Sequence, residues 1–180
     1  MALPKLETPT YELEQPSTGE TIKYRPFLVK EQKTLMMAQE SGDDKQIKTA
    51  LASLISGCTF EKLDPYEIPL FDVEFLFLRI RGKSVGEKID LNLLCPDDGE
   101  TRVNKSVNLE EIGVNMKVGH TNEIEITDKI KIFMRYPTLN DMEDVDAGTA
   151  NSQTVFKMIK DCIHEVHDGK KVYNRVDISE

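Results

Sequence analysis

The chain has 180 residues, of which 39% are hydrophobic and 31% charged, enough apolar side chain for one real core in a domain of the usual ~100–200 residues. Asp plus Glu is 32 against 23 Lys plus Arg, a net charge of −9, which argues against sequence-independent nucleic-acid binding because that mode needs basic surface to displace counterions. The uncharged stretches fall well short of the ~18–20 apolar residues that cross a bilayer, and the start Met1-Ala2-Leu3-Pro4-Lys5-Leu6-Glu7 has no apolar signal core.

Taken in chain order, the first element reads as a hairpin. Tyr11-Glu12-Leu13-Glu14 alternates apolar and polar, Pro16-Ser17-Thr18-Gly19 is a turn, and Ile22-Lys23-Tyr24-Arg25 alternates again until Pro26 ends the ladder. A first helix is expected from Val29 to Gln39, broken by Ser41-Gly42, and Asp43 or Asp44 then caps a second. In that second helix Ile47, Leu51, Leu54, Ile55 and Cys58 form one apolar stripe at helical spacing. Pro65 to Arg81 is the most hydrophobic stretch; its length predicts a central core helix, with Asp64 as N-cap and Pro65 in the first turn.

The middle third turns to strands. Lys88-Ile89-Asp90-Leu91-Asn92-Leu93 alternates strictly, Pro96-Asp97-Asp98-Gly99 turns, and Thr101-Arg102-Val103 begins the return. A second pair is expected in Glu123–Ile126 and Ile130–Phe133. The last quarter reads as helical again. Thr138 and Asp141 make a cap-like start for a short acidic helix, and Val155, Ile159, Cys162, Ile163 and Val166 continue a stripe at helical spacing. The sequence stops at Asp177-Ile178-Ser179-Glu180, which reads as the beginning of a further helix, so a missing C-terminal element is expected. The fold class predicted is α+β: an N-terminal hairpin, core helices, a β-rich middle and a C-terminal helical part, divided into a mixed core with its arm (1–136) and a C-terminal helical segment (137–180).

Candidate chemistry is sparse. His164 and His167, three apart on a helix, would offer one face two imidazoles, with Cys162, Glu165 and Asp168 as further ligands. That pair is the basis of an alternative reading as a small metal-dependent enzyme, set against the plainer reading of a solvated helix end. Cys95-Pro96-Asp97-Asp98-Gly99 has the outline of a zinc knuckle, but Asp98 stands where the second Cys belongs, so a turn is preferred. The acidic run Asp141, Glu143, Asp144, Asp146 lacks the Gly and spaced Glu of an EF-hand loop. His120 sits in a loop and is read as a surface residue, and three widely spaced cysteines, Cys58, Cys95 and Cys162, do not suggest a disulfide framework. No catalytic residue, cofactor or metal ligand is assigned. What remains is surface: the partly apolar N-terminal arm with Leu3 and Leu6, and Met36 beside Met37, which cannot both face one core and so offer an adaptable contact.

Four segments in order carry a resemblance. Met1–Leu13, Ile22–Lys33, Arg81–Glu87 and Cys95–Thr101, supported by the helix from Val155 with its Asp168-Gly169 ending, make the chain similar to the T-even-type phage baseplate hub proteins. The resemblance implies a late protein of a contractile-tailed phage, non-enzymatic, acting as a hub subunit or as a chaperone-like assembly factor. Its implied partners are other baseplate hub proteins or the tape-measure protein, with neither nucleic acid nor membrane. Its implied place is the host cytoplasm during assembly, or the tail of the virion.

Overall fold

A computed structural model describes residues 8–142 and 152–175. Leu3, Leu6, the acidic residues Glu143, Asp144 and Asp146, and the ending Asp177–Glu180 lie outside the described residues. The chain forms two compact units, one of Met1–Pro65 with Phe71–Val114 and one of Tyr66–Leu70 with Asn115–Glu180. Helices and small antiparallel sheets are mixed in α+β fashion.

The first unit opens with the expected hairpin, β1 (Tyr11–Glu14) against β2 (Thr21–Tyr24), in which Leu13 pairs with Ile22. Its turn closes through Gly19, whose φ of +73° suits glycine. Helix α1 (Val29–Ser41) stops at Gly42 in the left-handed conformation, and α2 (Asp44–Cys58) starts on Asp43, whose carboxylate accepts from the Lys45 amide at 2.9 Å. The α2 stripe does what its spacing dictates: Leu54, Ile55 and Cys58 are buried, and Ala50 and Ala52 are buried with them.

Helix α3 is central, but it begins later than the sequence predicts. It spans Leu70–Val85, while Asp64 to Ile68 run through turns and Pro69 bridges to Thr138. Pro69 is the reason: a proline disfavours helical backbone at the residue before it and has no amide to donate. Val73, Leu76 and Ile80, at helical spacing, are fully buried, each contributing about 1.5–3 kcal/mol of transfer free energy. Gly86, at φ +131°, ends the helix.

From there β3 (Lys88–Leu94) and β4 (Arg102–Asn108) form a two-stranded ribbon in which Leu91 faces Lys105 and Leu93 faces Val103. Its turn is held by Asp98, which accepts from the Glu100 and Thr101 amides at 3.0 Å each. Its base is tied to α3: Lys83 bridges Glu87 (2.6 Å) and Glu110 (2.5 Å), and Arg79 donates to the carbonyls of Leu109 and Ile112.

The second unit carries a four-stranded antiparallel sheet, β5 (Glu123–Glu125), β6 (Lys131–Met134), β7 (Ile163–His167) and β8 (Val172–Asn174), in that order. One correction follows for the C-terminal part. Helix α4 (Ser152–Asp161) is real, but Ile163 to His167 form a central strand. The apolar stripe did not settle this, because pairing with β6 and β8 decides it. Arg135 enforces the break: its amide donates to the Cys162 carbonyl at 2.8 Å and its guanidinium to the Asp161 carbonyl at 2.7 Å.

Candidate interaction surfaces

The buried polar groups are structural anchors. Arg25, just after β2, meets Glu31 of α1 at 2.8 Å, with both side chains close to nine-tenths buried. Burial alone would raise the Glu31 carboxyl, but the guanidinium and the Leu28 amide hold it below the usual glutamate range. The Arg25 amide also donates to the Cys58 carbonyl at 3.0 Å, so one residue joins hairpin, α1 and α2. On α3 the fully buried Asp72 accepts from Gln15 Nε2 at 2.8 Å, from the Ser17 amide at 3.2 Å and from the Ser17 hydroxyl. In the second unit Arg135 grips Asp141 with two bonds of 2.7 Å, and Thr138 donates its amide to the same carboxylate at 2.8 Å. Burial favours neutral Asp141, but the guanidinium and the Thr138 groups hold it well below the usual aspartate range. The Thr138–Asp141 cap is thus present, and Asp141 is committed to Arg135.

The two histidines are on a strand, where the sequence predicts a helix face. A register irregularity opposite Phe133 and Met134 falls at His164, and both rings approach Glu165: His167 Nε2 at 2.9 Å and His164 Nε2 at 3.8 Å. These are contacts to one carboxylate, and among the described residues no group of three or more His, Cys, Asp or Glu is arranged to hold a metal ion. His167 also lies on Phe133, with ring centroids 4.5 Å apart. His120 has a neighbour the sequence did not reveal, the Tyr136 ring stacked at 6.0 Å. Those two rings, Ile124, Met134 and His164 help line a cleft of about 780 Å³ in the second unit. The Cys58 thiol is pushed up to about 11 by burial, against the pull of the Arg25 charge, and is therefore an unreactive core group.

What the fold leaves open is apolar. On α1, Met36 is 51% and Met37 60% exposed, and Met37 lines a groove of about 590 Å³ between α1 and α2 whose floor is Ala38 and Ala50. In the second unit the sheet is two-faced. Lys131 bridges Glu123 (2.5 Å) and Glu125 (3.0 Å) on one side, while Ile124, Ile132, Val166 and Tyr173 form a cross-strand row on the other, extended by Ile126 and Ile130. Most of that row is half exposed, and α4 likewise turns Val155, Phe156 and Ile159 outward. The ribbon adds a fourth open face, along Leu91, Leu93 and Val103, flanked by the half-buried Ile89 and Val107. Exposed apolar faces of this kind are characteristic of surfaces that meet protein, membrane or ligand. Only Met36 and Met37 of these residues stand out in the sequence; strict alternation in the ribbon and in β5 and β6 was legible, but not that the apolar side would lack a covering layer.

Comparison with known proteins fits this picture. Residues 8–180 match the family described as T4 bacteriophage base plate protein, and the chain belongs to that family. No curated protein and no solved structure matches it. Membership gives the chain a structural or assembly role in the phage base plate, in contact with other base plate proteins.

Proposed function

We propose that this base plate protein works without catalysis, by protein–protein contact in assembly of the central hub, as a hub subunit or as a chaperone-like assembly factor. Its partners in this reading are other hub proteins or the tape-measure protein, met in the host cytoplasm. The observation that supports it is the set of apolar faces left uncovered on α1, the ribbon, the second sheet and α4. Met36 and Met37, with Leu3 and Leu6 of the N-terminal arm, are partner-contacting residues of this reading; flexible methionines suit a surface that must adapt to its occupant. The excess of acidic side chains steers association toward basic or amphipathic segments and limits self-aggregation before assembly.

Quantitative mass spectrometry of purified infectious particles tests it. A fixed low copy number per tail identifies a hub subunit. Presence in base plate intermediates from infected cells, with absence from particles, identifies an assembly factor. Absence from both overturns the assembly reading.

A further inference from the structure

The β3–β4 ribbon is the surface whose pattern says most about an occupant. Two strands alone are marginal in water, since a hairpin needs a third strand or a packed helix to bury its apolar side. Here that side is open: Leu91 is 39%, Leu93 46% and Val103 55% exposed. Period-two alternation puts Ile89, Leu91 and Leu93 on the same side as their partners Val107, Lys105 and Val103, while Asp90, Asn92, Asn104 and Ser106 occupy the other side. At the far end the turn carries Asp97, Asp98 and Glu100, all exposed, with no basic residue between Cys95 and Thr101. The ribbon is therefore an apolar strip running into an acidic tip.

We infer that this ribbon face docks a basic amphipathic segment of another base plate protein, its apolar side chains on Leu91, Leu93 and Val103 and its Lys or Arg residues at the Asp97/Glu100 tip. The inference rests on the assembly reading above and names its partner by chemistry. Charge complementarity selects the occupant. A second copy brings the same acidic turn and the same net charge of −9, so it is repelled where a basic chain is attracted. Lys105, beside the strip, asks for an acceptor in the partner, so a uniformly basic segment is a poorer fit than one with a single carboxylate or amide at mid-length.

The test uses the full chain and two variants: Leu91→Thr with Leu93→Thr, which keeps strand-forming residues, and Asp97→Asn with Glu100→Gln. The latter leaves Asp98 to hold the turn. Circular dichroism confirms that both fold. The probe is a labelled synthetic helix with leucines on one face, one glutamine at mid-length and lysines at one end, read by fluorescence anisotropy against a scrambled peptide of equal composition. Expected are binding of the patterned peptide over the scrambled one, a five- to tenfold loss in each variant, and salt dependence that is weakened in the tip variant alone. Loss confined to the tip variant, or equal binding of the scrambled peptide, means unspecific charge attraction and overturns the proposal. Concentration-dependent dimerisation of the wild-type chain that the threonine variant abolishes assigns the face to a second copy and also overturns it. The same variants are sedimented with base plate intermediates from infected cells. Wild-type chain that co-sediments, with the threonine variant co-sedimenting equally, refutes the ribbon while sparing the assembly reading. Wild-type chain that never co-sediments refutes the assembly reading itself.

Discussion

Glu31 is the most informative single position for the first unit. Its side chain is 11% and that of Arg25 13% exposed, and it accepts from both guanidinium nitrogens and from the Leu28 amide at the start of α1. Glu31→Ala removes the countercharge of a largely buried guanidinium, a loss that runs to about 3–5 kcal/mol for a fully buried pair. It also frees an amide in the first turn, about 1 kcal/mol for a lost cap. Arg25 keeps its bond to the Pro26 carbonyl at 3.0 Å and a little solvent contact, which puts the expected net cost at the lower end, about 3 kcal/mol. For a chain of this length that lowers the melting midpoint by about 6–12 °C. Glu31→Gln keeps one acceptor oxygen, which can serve the Leu28 amide, but loses the countercharge and the acceptor of the 2.8 Å bond to Arg25, and should cost less than the alanine. With no Trp in the chain, far-UV circular dichroism in urea is the appropriate signal. The pH dependence has a fixed sign. A carboxyl held below its unfolded value adds stability that is present above the unfolded pKa and is lost as pH falls through the folded one. Wild type should therefore lose more stability than Glu31→Gln on going from neutral pH to below the unfolded glutamate range. An alanine variant within 0.5 kcal/mol of wild type, or identical acid sensitivity in the glutamine variant, would refute the claim that this pair joins hairpin and helices.

Other consequences are equally direct. Asp72→Ala strands the buried Gln15 amide and the Ser17 amide and should cost about 3 kcal/mol, with Asp72→Asn costing less, measured by the same urea titration. Ile80→Ala, at a fully buried position on α3, should cost about 3–4 kcal/mol, and a value under 1 would mean that the core is elsewhere. In the second unit Asp141 lies below its ordinary value, so its contribution is present above the unfolded aspartate pKa and disappears as pH falls through the folded one. Arg135→Lys, which loses the two-pronged grip, should weaken protection of the β6 and β7 amides in hydrogen exchange at neutral pH. Cys58 should resist iodoacetamide at pH 8 until urea unfolds the first unit, and modification in the native state would contradict its burial.

Local patterns carried a good part of the fold. The first hairpin, α2 with its Asp43 cap, the ribbon with its Asp98 turn and the β5–β6 pair are each fixed by alternation, helical spacing or a turn residue within a few positions. Pro69 is equally local: it keeps Ile68 out of helical backbone, so α3 starts at Leu70 and not at Pro65. The exposure of Met36 and Met37 was legible as a conflict, since neighbours on a helix cannot both face one core.

Other features were beyond any local reading. The stripe Val155, Ile159, Cys162, Ile163, Val166 continues at helical spacing through Cys162, yet the chain becomes a strand at Ile163. Partners distant in sequence decide it, since β6 and β8 supply the ladder and Arg135 takes the carbonyls that end the helix. The pairings of Asp72 with Gln15 and Ser17, and of Arg25 with Cys58, likewise join residues tens of positions apart. The same holds for the open faces: alternation determines which side of a strand is apolar, but whether another layer covers that side depends on the whole packed unit.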